Sequence, residues 1–96
     1  MDSLIWLQKW YLKECNGDWE HSFGIRIETL DNPGWSVRIN LIDTDLEDEI
    51  FNKVTIERHE NDWIFCEINE ESEFLGYGGP GNLSEILDVF KAWVNS

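Results

Sequence analysis

Basic residues are scarce in this chain: seven Lys and Arg stand against 20 Asp and Glu, so 96 residues carry a formal net charge of −13. A surface of that sign repels phosphate backbones and anionic headgroups, which makes nucleic acid and membranes poor direct partners. Long apolar runs are missing too; no stretch of about 18 apolar residues exists to span a bilayer. The start Met1-Asp2-Ser3-Leu4 lacks the basic region that opens a signal peptide, so a cytoplasmic protein is expected. Only two cysteines, Cys15 and Cys66, and two histidines, His21 and His59, are present, with no close metal-ligand pair among them. Buried free thiols and no metal are expected, and no cofactor motif is found.

What the chain does have is aromatic mass. Six Trp, five Phe and two Tyr within a 42% apolar composition are far too many for a disordered chain. At this length one compact domain spanning 1–96 is expected, large enough for a core without disulfides. The acid excess is uneven. Residues 1–42 hold 6 acids and 4 bases, net −2, whereas residues 43–96 hold 14 acids and 3 bases, net −11.

Periodicity divides the chain into elements. Ser3 reads as the cap of a helix over Leu4 to Cys15 that stops at Asn16-Gly17, with Leu4, Leu7, Tyr11 and Cys15 on one face and Trp10 beside them. Two alternating runs, Phe23 to Leu30 and Trp35 to Leu41, flank the turn residues Asp31-Asn32-Pro33-Gly34 and predict a hairpin. Lys53 to Arg58 and Trp63 to Ile68 predict a second hairpin across His59-Glu60-Asn61-Asp62. Glu73 to Tyr77 adds a short fifth strand. Asn82, with Glu85 three residues on, reads as the capping pair of a last helix whose stripe is Leu83, Ile86, Leu87, Phe90, Trp93 and Val94. The expected fold is α+β: a mostly antiparallel meander sheet of four or five strands, with an N-terminal and a C-terminal helix packed on it.

Three groups of residues are candidates for function. Asp18, Glu20 and His21 put two carboxylates and an imidazole within four positions, the residue types of acid/base or metal chemistry; an extended segment would turn His21 away from the acids, and a structural turn with Trp19 packed is expected instead. Gly76 to Asn82 connects a strand to a helix but lacks the Lys-Ser/Thr of a phosphate loop and reads as a tight connection. The third group is acidic: Asp43, Asp45, Glu47, Asp48 and Glu49 in one loop, then Glu67, Glu70, Glu71 and Glu73. With the aromatics near them they are suited to capturing a basic partner at steered rates.

At Leu7-Gln8-Lys9-Trp10-Tyr11, Asp18-Trp19-Glu20-His21, Leu30-Asp31-Asn32-Pro33-Gly34-Trp35 and Gly78-Gly79-Pro80 the chain resembles the immunity protein 53 family of bacterial polymorphic-toxin systems. The order and spacing of the blocks carry the resemblance, which spans nearly the whole chain. It implies a small cytoplasmic antidote that binds a cognate toxin domain and blocks it without doing chemistry. It brings no catalytic residues. Such a partner is expected to be basic, with a nuclease fitting best. The contacts are expected at Asp43, Asp45, Glu47, Asp48, Glu49, Glu70, Glu71 and Glu73, and at Trp6 and Trp10 on the first helix. A monomer or weak dimer is expected. The opposing reading is a small enzyme or ligand-binding domain that uses Asp18, Glu20 and His21 near the Gly-rich connection.

Overall fold

A computed structural model describes residues 2–96 of the chain. The first helix, α1 (Ser3–Glu14), is capped by Asp2, whose carboxylate accepts the Leu4 amide at 2.7 Å. Ser3, expected as the cap, is instead buried on the helix and its hydroxyl donates to Asp88 of the last helix. The buried positions are Ser3, Leu7 and Trp10, spaced i, i+4, i+7, while Leu4 and Tyr11 face outward. The buried stripe is thus rotated by about a quarter turn from the expected Leu4-Leu7-Tyr11-Cys15 face, at about 100° per residue. The cause is tertiary. The last helix lies alongside, and Trp6 and Trp10 set their rings edge-on to Phe90 at 5.9 and 5.2 Å.

A single helical turn, α2 (Trp19–Ser22), follows where an extended entry was one expectation. Next come β1 (Ile25–Leu30) and β2 (Gly34–Asn40), a hairpin closed by Asp31-Asn32-Pro33. The second hairpin joins β3 (Val54–His59) to β4 (Asp62–Ile68) and contains a bulge between Glu57 and His59. The last strand is β5 (Glu73–Gly78), and the closing helix is α3 (Leu83–Val94).

All strand pairs are antiparallel, in the order β1-β2-β5-β4-β3. The α+β class and the two terminal helices are as expected, while the path is more involved than an up-and-down meander. Strands β3, β4 and β5 form a meander, and β5 then also pairs with β2, which closes the two hairpins into one sheet. β5 takes the centre because it is apolar on both faces: Phe74 and Gly76 face one side, Leu75 the other, and five of its six residues are buried. The chain from β2 to β3 must therefore pass β5 and β4 to reach the far edge of the sheet, which residues 41–53 do.

Side-chain alternation places Val37, Ile39, Phe74, Ile64 and Cys66 on one sheet face, where they meet Ile86, Leu87 and Phe90 of α3 and Leu7, Trp10 and Trp19 in a continuous core. Among the described residues no helix covers the opposite face; Phe65 and Tyr77 stack there, 6.4 Å apart. Asn82 takes the N-cap position of α3 as expected, and its side chain meets Glu85, but it makes no hydrogen bond to the amides of the first turn. Its Oδ1 accepts the Trp63 amide at 3.3 Å and its Nδ2 donates to Asp62 at 2.9 Å and Glu85 at 3.1 Å. A buried amide with four bonding sites is better satisfied by tying the helix to β4 than by the helix alone.

Candidate functional site

The long connection from β2 to β3 carries the first acidic cluster, and it is ordered. Thr44 donates its hydroxyl to Leu41 O at 2.7 Å and accepts the Leu46 amide at 3.1 Å, and Glu47 Oε1 accepts the Asp43 amide at 3.1 Å. Asp43 sits in the left-handed region at φ 65°, a conformation Asp tolerates better than most residues. Farther on, Phe51 inserts between Phe74 and Trp93, with ring centroids at 5.6 and 5.3 Å, and Trp93 Nε1 donates to Ile50 O at 2.9 Å. These contacts latch the connection onto the C-terminal turn of α3. Asp43, Asp45, Asp48 and Glu49 are left exposed on a fixed platform, with Glu47 half-buried beneath them and Ile50 projecting beside them.

One further acid joins this group from elsewhere in the chain. Partial burial raises the Glu14 carboxyl above the usual range, and the charge of Asp45 pushes it the same way against the opposing pull of Lys13. The field of the acidic loop is therefore felt at the end of α1, which nothing local to Glu14 signals.

The second expected cluster divides. Glu70 and Glu71 are exposed in the β4–β5 turn. Glu73 is 8% exposed, accepts from Asn69 Nδ2 at 3.0 Å, and lies 3.8 Å from Arg38. It serves the turn, where Asn69 Oδ1 also gathers the amides of Glu71 and Glu73 at 3.0 and 2.9 Å. Glu67 is half-buried, 3.7 Å from Lys53. The tryptophans of α1 are largely interior. Trp6 is half-buried against Phe90, and Trp10 is 6% exposed between Trp19 and Phe90.

The motif residues build the scaffold. Asn16 Oδ1 accepts the amides of Asp18 and Trp19 at 2.9 and 3.0 Å, while the two carboxylate oxygens of Glu20 accept those of Asn16 and Gly17 at 2.9 and 2.8 Å. This is a reciprocal cap of α2, and Gly17 permits it at φ 94°. Backbone amides, its own first and then those of Asn16 and Gly17, hold the Glu20 carboxyl below the usual carboxylate range. Both of its oxygens are committed, while Asp18 and His21 stay exposed.

The other two blocks lock onto each other. Trp35 lies opposite Gly78, and its Nε1 donates to Pro80 O at 2.9 Å. Gly34 leaves no room for a Cβ, which would come within 2.3 Å of Gly78 O; at Gly79 a Cβ would come within 2.5 Å of Asn61 O. Asn32 and Pro33 form the exposed tip of the hairpin.

Among the described residues no group of three or more His, Cys, Asp or Glu could hold a metal ion, and no helix is long and apolar enough to cross a membrane. Both cysteines are free thiols. Burial, with the charge of Glu85 adding to it, pushes the Cys66 thiol up to about 12, which keeps it protonated and poorly nucleophilic. Cys15 is only half-buried, less enclosed than expected.

Compared with known families, the chain matches the family described as immunity protein 53 over residues 4–95. No curated protein and no solved structure matches it.

Proposed function

The chain belongs to the immunity protein 53 family, and on that premise we propose that it binds one cognate toxin domain through its acidic β2–β3 connection and blocks it without catalysing anything. The observation that carries this reading is the latched platform, which presents Asp43, Asp45, Asp48 and Glu49. Acids held in place steer a basic partner without the entropy cost of ordering a mobile loop on binding. The partner that fits is a basic toxin domain. A nuclease fits best, because a site built for phosphates is basic, and the cytoplasm is where such a toxin would have to be met. Ile50, exposed at the edge of the platform, supplies an apolar anchor next to the charges. The enzymatic alternative loses its support at Glu20, whose oxygens close the α2 cap.

Reversing Asp45, Asp48 and Glu49 to Lys is expected to slow toxin association about tenfold or more at low salt, with the difference shrinking as salt screens charges beyond about 8 Å. Glu47 is left intact because it holds the Asp43 amide. Each of the three changes should move stability by no more than about 0.5 kcal/mol, since the side chains are exposed. The matched control reverses Glu70 and Glu71, on the β4–β5 turn, and should associate at the wild-type rate. Stopped-flow binding decides the matter: equal rates for wild type and both variants would remove the acidic platform from the mechanism.

A further inference from the structure

Both edge strands carry charged side chains, Glu57 and Arg58 on β3 and Arg26 and Glu28 on β1, but only β3 also carries a bulge, a device that discourages strand addition. β1 has neither bulge nor proline and pairs with β2 in unbroken register over all six residues. Its backbone polarity follows from one bond. The Asn40 amide donates to Gly24 O at 3.0 Å, so Gly24 and Asn40 form a hydrogen-bonded pair, and alternation assigns Arg26, Glu28 and Leu30 to β2 as well. The N–H and C=O groups of Ile25, Ile27 and Thr29 therefore point to the open edge.

An apolar groove runs along that edge, between β1 and α1, lined by Leu4, Leu7, Tyr11, Phe23, Ile25 and Ile27. Ile27 itself is 36% exposed. The charges nearby also point to an occupant. Arg26 lies directly across from Arg38, an unfavourable like-charge neighbour, and its contact with Glu28 at 3.5 Å is largely exposed. This flank belongs to the part of the chain with net charge −2, whereas the −11 of residues 43–96 would oppose a second copy elsewhere.

We propose that a second copy of this chain docks on β1, antiparallel and edge to edge, with Ile27 facing the partner's Ile27 about a two-fold axis. In that register Ile27 forms a hydrogen-bonded pair with its symmetry mate, and Ile25 does so with the partner's Thr29. Arg26 falls in the closely spaced non-hydrogen-bonded position opposite the partner's Glu28, and Glu28 opposite the partner's Arg26. The free backbone groups, the groove and the Arg26 charge are all satisfied by one arrangement, and the two sheets become one of ten strands.

The test is sedimentation equilibrium of the full chain, without toxin, across micromolar to millimolar concentration. Wild type should rise from the 11.3 kDa chain mass toward twice that value. Arg26→Glu sets like charges opposite each other at two positions and should weaken the dimer about tenfold or more. The double exchange Arg26→Glu with Glu28→Arg restores both opposite-charge pairs and should bring association back near the wild-type level. The proposal is overturned if wild type stays monomeric throughout or if the double exchange dimerises no better than Arg26→Glu alone. It is equally overturned if the edge variants weaken toxin binding while wild type alone remains a monomer, since the groove would then belong to the toxin.

Discussion

Replacing Gly34 with Ala should cost about 3 kcal/mol or more, or abolish folding outright, while the same change at Gly81 should stay within about 0.5 kcal/mol. At Gly34 the new Cβ would lie 2.3 Å from Gly78 O, a backbone atom of the neighbouring strand. Neither backbone can retreat cheaply, because the clash lies where Trp35 pairs with Gly78 and reaches Pro80. Moving β2 away from β5 would open the junction that joins the two hairpins. Gly81 has nothing within 4 Å of its Cβ position and is not in the left-handed region. Thermal denaturation separates the two: at about 4 to 8 °C per kcal/mol for a domain of this size, the first variant should melt at least about 12 °C lower. A Gly34→Ala protein with the wild-type melting temperature would mean that β2 and β5 do not approach as described.

Removing the Trp19 side chain should be comparably severe. The residue is 2% exposed and is wedged between Trp10 and Tyr11, at centroid distances of 5.8 and 5.7 Å. Trp19→Ala is expected to cost about 3 to 5 kcal/mol, from lost burial and the cavity left between α1 and α2. Its indole nitrogen has no hydrogen-bond partner among the described residues. A buried donor left unpaired costs about 1 to 3 kcal/mol, so Trp19→Phe, which removes that donor and keeps an aromatic ring, should lose less than half of what the alanine variant loses. Urea midpoints at constant m-value give both numbers. If Trp19→Phe proved as damaging as Trp19→Ala, the indole nitrogen would have to be satisfied in solution.

The local features of this fold were legible before its assembly was. Alternation from Ile25 to Leu30 and from Gly34 to Asn40, separated by turn residues, specifies a hairpin because both signals lie within a few positions of each other. The α3 stripe is equally local, and Ile86, Leu87 and Phe90 are buried as its spacing requires. The apolar run of β5 suits it to the centre of a sheet, but which strand edges it meets is decided at long range, so its neighbours β2 and β4 are not written in any local pattern. The same holds for α1, whose buried face is set by Phe90 of α3, and for Asn82, whose bonds run to β4. In the candidate site, the composition of the loop from Asp43 to Glu49 marked it as a solvated acidic segment. Glu73 is withdrawn partly by Asn69 in its own turn and partly by Arg38 of β2, and only the second of these is a contact across the fold.

The most direct measurement is a titration of the purified protein into a fixed amount of the proposed cognate toxin domain, with residual toxin activity followed at each step. Stoichiometric blocking predicts a linear fall that ends at one equivalent, with the toxin recovered at unchanged mass and full activity once the complex is dissociated. Loss of activity at a small fraction of an equivalent, or a toxin whose mass has changed, would show that the chain acts by chemistry on its partner and would contradict the account.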